Sequence, residues 1–480
     1  MKRTIKAIVS CFVVAAMTAG MLWMLTGLTE RKYGRTRLDA FLGETEDFDV
    51  LFLGSSHVIQ GVYPMELWAD YGIVSYNLGG HGSRIPTTYW TLVQALKKTT
   101  PKLVVIDGYY LNGDDKLGEQ KSGHTHDALD PWPMSLEKLA AVFDLMPDKR
   151  NAVEYLWDFV TYHGRWSALT RNDFAPSCVE KGAYTYVNVA QPLYRPDPED
   201  TQVMEAETVG VQYLRKMIRL CQKNGIDVLL TWIPGSGELT VRAPYANKTG
   251  AIAAEHGLNM VNFLTTEVID YDTDCWDNGG HLNPSGARKV TDYLGQYIMA
   301  NYDIPDRRDD PAYAGWHRDY EDYKAFKLDM LNATQIDYPY DSNKAVIDWK
   351  NYLMLLADRH LSYCVYLKDN NLWHGGSHYE KLLANIGIDS GALGADTLAV
   401  VDNLAQTVTY LAQGESTGTS FGTVAFDQAE DSFRVRIDGE AVLDVGAADA
   451  GAAVIDNAGG QVVTSALFAV SAAASINRTN

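Results

Sequence analysis

Between residues 48 and 300 the chain alternates between two hydrophobic patterns. One is a short run that is apolar nearly throughout: Val50–Leu53, Ser75–Leu78, Leu103–Ile106, Asp227–Ile233 and Asn259–Leu264. Uninterrupted, β-branched runs of this length predict strands buried on both faces. The other pattern places apolar residues three and four apart, as in Tyr89, Leu92, Val93 and Leu96. This spacing predicts helices over Pro64–Tyr71, Thr87–Thr99, Glu205–Asn224, Lys248–His256 and Ser285–Ala300. Gly225 stands just past the third of these, as a helix stop requires. Strands alternating with helices predict an α/β domain over 45–302, a parallel sheet covered by helices on both faces.

Three stretches depart from that rhythm. Residues 112–200 are rich in Trp, Tyr, Pro and charge. They are expected to be an insertion over the ligand edge of the sheet, with helices at Leu136–Met146 and Ala152–Tyr162. Residues 303–339 read as a charged linker (Arg307 to Pro311) and a helix from Tyr320 to Leu331. Residues 340–480 read as an accessory α+β module, with a helix over Val346–His360 and strands from Thr397 onward. Within it, Asp438-Gly439 between alternating segments is a type I′ hairpin signal.

At the other end, Ala7–Leu28 carries no charge. As a helix it would reach ~33 Å, enough for a ~30 Å hydrocarbon core. The apolar run continues through Met21–Leu25, beyond the small residues Ala16 to Ala19, so residues 1–30 are expected to be an uncleaved anchor. Lys2, Arg3 and Lys6 flank one side, and Arg31, Lys32, Arg35 and Arg37 the other, so basic residues alone leave the orientation open. Tyr33–Phe48 reads as a polar approach to the first strand.

Composition narrows the picture. The chain has 480 residues, 46% apolar and 21% charged, with a net charge of −20. This is a globular composition, and the basic residues concentrate before residue 38, so the body is more acidic than the total. A nucleic-acid partner is excluded for want of a basic footprint. Cys178, Cys221, Cys275 and Cys364 are widely spaced and form no CxxC. Two disulfides are possible, with scattered buried thiols the simpler reading.

The candidate chemistry lies at the strand ends. Val50–Leu53 stops at Gly54-Ser55-Ser56-His57, where a serine would stand at the mouth of the sheet. A serine needs a base to become a nucleophile; alone, the turn is only a small-residue strand end. Asp277 to Val290 (DNGGHLNPSGARKV) offers that base in His281, with Asp277 to hold its tautomer. The same residues also suit a surface turn, with Ser285 capping the next helix. Gly79-Gly80-His81-Gly82 could aim backbone N–H groups at a developing oxyanion, or simply turn. His124, His126 and Asp127, read as a loop, have poor spacing for a metal, and no metal or cofactor is expected. Tyr162 to Trp166 (YHGRW) is a polar-aromatic cluster that either contacts substrate or ends a helix.

In their order, strand-GSSH, strand-N-LGGHG, a third strand, then an acid-His-Leu-Asn loop before the last helix resemble the SGNH (GDSL-type) hydrolase superfamily. The likeness covers roughly residues 48–300. It looks nearest to the membrane-anchored bacterial cell-surface branch, similar to proteins of teichoic acid D-alanyl transfer and alginate O-acetylation. The resemblance implies an SGNH-like, flavodoxin-type fold. It implies Ser56 as nucleophile, His281 as base and Asp277 as acid, with Gly82 and, in place of an unrecognisable Gly-x-Asn-Asp motif, Asn112 at the oxyanion. His57, His163 and Arg165 are candidate substrate contacts. Two departures stand out: the family's GDS is GSS here, and its acid lies three residues before the histidine, where this chain has Asn278.

Two functions follow as expectations. One is a membrane-anchored serine esterase or O-acyltransferase acting on esters of a cell-envelope glycan, its body extracellular, with a membrane-bound O-acyltransferase as a possible partner. The other is an inactive SGNH-fold surface protein that binds or helps assemble such glycans.

Overall fold

Strand β1 (Val50–Leu53) lies between β2 (Ser75–Asn77), at the edge of the sheet, and β3 (Leu103–Asp107), at its centre. Beyond β3 come β4 (Asp227–Trp232) and β5 (Asn259–Asn262), and every pairing in this five-stranded sheet is parallel. The computed structural model describes the chain except at residues 1, 31, 115, 118–121, 170–172, 175–177, 194, 196, 234–241, 339–343, 369–377, 395, 430–431, 471–475 and 480. The order β2-β1-β3-β4-β5 makes the chain step to one side of β1 and then to the other. The resulting switch point lies at the end of β1, where ligands of open α/β sheets bind.

The strands lack polar alternation because both faces are covered. Leu51, Leu53, Val104, Ile106, Val228 and Leu230 enter one core; Val50, Phe52, Leu103, Val105 and Leu229 enter the other. Helices α5 (Ile85–Ala95) and α10 (Val209–Lys223) pack on the first face, and α4 (Pro64–Tyr71) and α12 (Pro284–Asn301) on the second. The helices α1 (Lys2–Thr29), α2 (Lys32–Gly43) and α3 (Ser56–Gly61) precede them. The expected polar approach at 33–48 is therefore mostly α2, whose Leu38 and Phe41 are its two anchors in the core. Two anchors three residues apart are too short a pattern to read as a helix.

The insertion contains α6 (Ser122–Leu129), α7 (Leu136–Leu145), α8 (Ala152–Leu156) and α9 (Asp158–Tyr162). The single helix expected over 152–162 breaks at Trp157, whose backbone is extended. α10 begins four residues later than expected because Thr208 caps it, accepting from the Val211 amide at 3.1 Å. α11 (Arg242–Glu255) starts earlier than its periodicity suggested.

α13 (Ala314–Asn332) does more than link. Its Trp316 and Tyr323 join the core on the α5 side of the parallel sheet, while Met330 and Leu331 join the C-terminal core. Beyond it the fold is α+β. Antiparallel strands β8 (Leu361–Leu367), β9 (Thr397–Asp402), β10 (Thr407–Leu411), β15 (Ala450–Asp456), β16 (Gln461–Val470) and β17 (Ile476–Thr479) form a sheet in the order β10-β9-β8-β15-β16-β17. One face packs on α14 (Trp349–Leu356) and α15 (His378–Asn385). The other meets the sheet β11 (Ser416–Thr419), β12 (Gly422–Ala429), β13 (Ser432–Ile437), β14 (Glu440–Asp444). β6 (Gln335–Asp337) pairs with β7 (Lys344–Val346), so the helix expected over Val346–His360 is shorter at both ends: Val346 belongs to β7, and α14 stops at Leu356. Asp438 and Gly439 turn between β13 and β14 with φ of 49° and 87°, as a type I′ turn demands.

Candidate active site

Ser55 and Ser56 follow β1 directly but have different tasks. Ser55 is buried and caps α3, its hydroxyl accepting from the His57 amide at 3.4 Å. Ser56 is the first residue of α3, and its Oγ lies 2.9 Å from Nε2 of His281. Nδ1 of the same ring is 2.8 Å from Oδ2 of Asp277, whose Oδ1 accepts the His281 amide at 3.0 Å. Ser56, His281 and Asp277 thus form one hydrogen-bonded chain across 225 residues of sequence.

The four-residue spacing works because the intervening loop folds back. The Gly280 amide donates to the Asp277 carbonyl, Gly280 has φ +81°, and Trp276 N–H donates to the His281 carbonyl. Asp277 then faces His281 twice, through backbone and side chain. Burial pushes its carboxyl up. The hydrogen bond and charge of His281 outweigh this and leave it below its ordinary value. The helix after the loop is capped by Asn283, not Ser285: Asn283 Oδ1 accepts from the Gly286 amide at 3.2 Å. Ser285 instead donates to Asp274 at 2.8 Å.

A second ring supports the first. His57 is buried, its ring stacked 4.6 Å from that of His281 and 3.7 Å from that of Tyr109. At 2% exposed it offers a substrate little surface. The tail of the insertion straps the histidine loop: Ala190 N–H donates to the Cys275 carbonyl, Leu193 N–H to that of Asn278, and Asn188 to that of Trp276. Trp276 also donates its indole N–H to Gln60 of α3 at 2.6 Å, joining the two halves of the site. Tyr109, Gln60, Asn188 and Trp276 escaped sequence reasoning, since each is recognisable only by its partner.

The glycine loop runs beside α3. Gly80 N–H donates to the Gly54 carbonyl at 3.0 Å, and a Cβ on Gly79 would lie 2.9 Å from the Ser55 carbonyl oxygen. Gly82 turns this loop with φ +58°. Asn77 holds it from below, its amide donating to the carbonyls of Val58 and Val62 and its Oδ1 accepting from Gly79. Arg37, counted in the sequence as a charge flanking the anchor, donates to the carbonyls of Asn77, Gly79 and Gly182.

Three expected site residues lie apart. Among the described contacts none joins Asn112 to Ser56 or His281, and its buried Oδ1 has no hydrogen-bond partner. The turn after β3 sends Tyr109 toward the histidines instead. Arg165 is committed to the end of α1, donating to the carbonyls of Thr29 and Glu30 and pairing with Asp173. His163 is exposed, and its Nδ1 lies 3.1 Å from the carbonyls of Phe159 and Val160. The partners described for these two residues lie at the end of α1, in α9 and at Asp173, and none is a residue of the Ser56–His281–Asp277 chain.

His126 lies on α6 rather than in a loop. It is buried against Tyr155, with Nδ1 2.7 Å from Asp130. Elsewhere, Glu66, Asp70 and His360 offer three metal-ligand atoms within 4.8 Å of one another. Protein cations already fill that cluster: Lys327 binds Glu66 at 3.0 Å and Arg359 pairs with Asp70. Burial lowers the pKa of His360, but hydrogen bonds to Asp358 and Asp70 raise it to about 10. A protonated imidazole has no lone pair for a metal. The five cysteines are free thiols.

No family model matches this chain, and no curated protein matches it. Among solved structures it is similar to a candidate acylhydrolase from Bacteroides fragilis NCTC 9343. That match has 14% identity and a TM-score of 0.30, and covers 56% of this chain and 99% of the other.

Proposed function

We propose that the chain is a membrane-anchored serine esterase or O-acyltransferase of the SGNH type. The observation that carries this reading is the Ser56–His281–Asp277 chain at the switch point of the sheet. In the proposed reaction Ser56 Oγ attacks the ester carbonyl carbon while His281 Nε2 takes the hydroxyl proton. Asp277 keeps the other ring proton on Nδ1 and stabilises the imidazolium. The tetrahedral oxyanion is held by the N–H of Ser56, at the start of α3, and by the glycine loop that includes Gly82. One such donor is worth ~3 kcal/mol in the transition state. The C–O bond to the leaving alcohol breaks, and His281 returns the proton to it. Water or an acceptor hydroxyl then gives its proton to His281 and attacks the acyl-serine, releasing acid or a new ester.

By resemblance, the substrate is an ester on a cell-envelope glycan, and a membrane-bound O-acyltransferase is a fitting donor partner. α1 is long and apolar enough to cross a membrane, and the described residues leave its most apolar stretch unburied. Arg35 and Arg37 are engaged by the body, which weakens their part in the charge balance. Arg31 and Lys32 still face Lys2, Arg3 and Lys6 across the span, so the extracellular placement of the body rests on the resemblance. Digestion of intact cells by an added protease is expected to remove residues beyond the anchor; complete protection would refute that orientation.

A fluorophosphonate probe tests the chemistry. The full chain is expected to label, and Ser56→Ala to lose labelling and hydrolysis of a model acetyl ester. A folded wild-type chain that does not label would favour the inactive scaffold.

A further inference from the structure

We propose that the surface around the C-terminal end of α1 is a lipid-facing collar. In it Trp157, Trp166 and Phe174 enter the headgroup region of the bilayer that α1 crosses and set the tilt of the body upon it. This rests on the membrane-anchor part of the proposed function, and not on its chemistry.

The burial of α1 locates the membrane surface. Residues 3–21 are exposed throughout, whereas Leu22, Leu25, Thr26 and Thr29 are partly or fully covered. Those four share one face at helical spacing, and that face packs on α9 and on the 3-10 turn His163–Ser167. The uncharged span Ala7–Leu28 would reach ~33 Å, against ~30 Å for a hydrocarbon core, and its freely exposed part, Ala7–Met21, accounts for ~22 Å of it. The body therefore meets α1 in the last turns of that span, at the outer edge of the bilayer core.

Exposed aromatic residues gather at that level. Trp157 precedes α9 and is 43% exposed, Trp166 in the 3-10 turn is 71% exposed, and Phe174 is 66% exposed. Among the described residues the exposed tryptophans are these two and Trp23, on α1 itself at the same level. In water such residues are a liability; at a bilayer surface an amphipathic ring gains both an apolar and a polar environment.

The patch is held rigidly to α1. Arg165, next to Trp166, donates to the last carbonyls of the helix at Thr29 (2.9 Å) and Glu30 (2.5 Å). A cation at this point also faces the negative end of the helix dipole. Its other arm pairs with Asp173 at 2.8 Å, next to Phe174. Arg35 closes the clamp from α2, donating to the Pro131 carbonyl at 2.8 Å and pairing with Glu30 and with Asp158 of α9. The YHGRW cluster thus acts as a brace between anchor and body, and continuity with α1 makes lipid the occupant of the surface it presents.

The test uses the full chain in lipid nanodiscs that contain phospholipid brominated high on the acyl chain, which quenches nearby tryptophan. In a Trp23→Phe chain, quenching by the brominated lipid is expected to persist. In the Trp23→Phe/Trp157→Phe/Trp166→Phe chain it is expected to fall to the level of non-brominated discs. Both positions are exposed, so an unchanged melting temperature is expected to show that the fold is intact. A Trp23→Phe chain that resists alkaline extraction from the membrane yet shows no quenching would overturn the collar and leave the anchor standing. A chain that alkaline extraction releases would overturn both.

Discussion

At the scale of single residues, the site divides labour between neighbours that look alike in sequence. Ser55 turns inward to cap α3 and Ser56 faces His281. Asn278 occupies the spacing expected of an acid, but Asp277 makes both contacts to His281. Asp277→Asn is expected to keep the loop but favour the wrong tautomer of His281, lowering kcat by on the order of 10³–10⁴ with little change in KM. Steady-state kinetics on a model ester checks this, and an Asn278→Ala chain is expected to retain most activity. The Asp277 carboxyl is held below its ordinary value of 3.8 by His281. A depressed folded-state pKa contributes stability in full above the unfolded value and loses it as pH falls through the folded one. The loop is therefore expected to stay closed through mild acid, and chemical shifts of His281 in a pH titration would show an opening at higher pH if this is mistaken.

At the scale of elements, the decisive feature is the abrupt passage from β1 to α3. Gly54 allows it. A Cβ there would stand 2.5 Å from Val58 Cγ2 and 2.8 Å from Asp107 Cβ, so the strand end and helix start could not approach. Gly54→Ala is expected to cost about 1–3 kcal/mol in stability and to lower activity further than that loss explains, because Ser56 is displaced. Denaturant melts beside kinetics separate the two effects. Strand positions were legible because burial on both faces leaves an unbroken apolar run. Helix ends were less so, because caps such as Thr208, and breaks such as Trp157, act through local geometry that periodicity does not carry. The clasp of residues 188–193 on the histidine loop was invisible, being two backbone hydrogen bonds and one from the Asn188 side chain between segments some ninety residues apart.

At the scale of the whole molecule, the C-terminal module is fastened to the α/β domain by a buried ion network. Lys327 of α13 binds Glu66 of α4 at 3.0 Å and Asp358 at 2.9 Å; His360 reaches Asp70 at 2.9 Å. The pKa of His360 is raised from 6.5 to about 10. Its contribution is complete below 6.5 and is lost as pH rises through about 10. The melting temperature is thus expected to fall between neutral pH and pH 10, and His360→Gln to lower it at neutral pH while flattening that fall. An equal slope in both chains, measured by calorimetry, would remove His360 from the interlock. α15 also reaches the far side of the histidine loop, where Asn385 donates to Ser285 at 2.7 Å and Lys381 pairs with Asp272. The module thus buttresses the loop that carries His281.

The sequence by itself determined the parallel sheet and the uncharged apolar span of α1, and it offered Ser56, His281 and Asp277 as candidates. Each is written locally: in the period of apolar residues, in an uncharged run, or in a short motif at a strand end. Only the tertiary structure decided which side chains join them. It set His57 against His281 and Tyr109 against His57, turned Arg165 to the end of α1, and left the buried Oδ1 of Asn112 without a hydrogen-bond partner. Those outcomes depend on contacts between distant segments, where the same residue types fit a substrate pocket, a helix end or a core, and only packing selects among them.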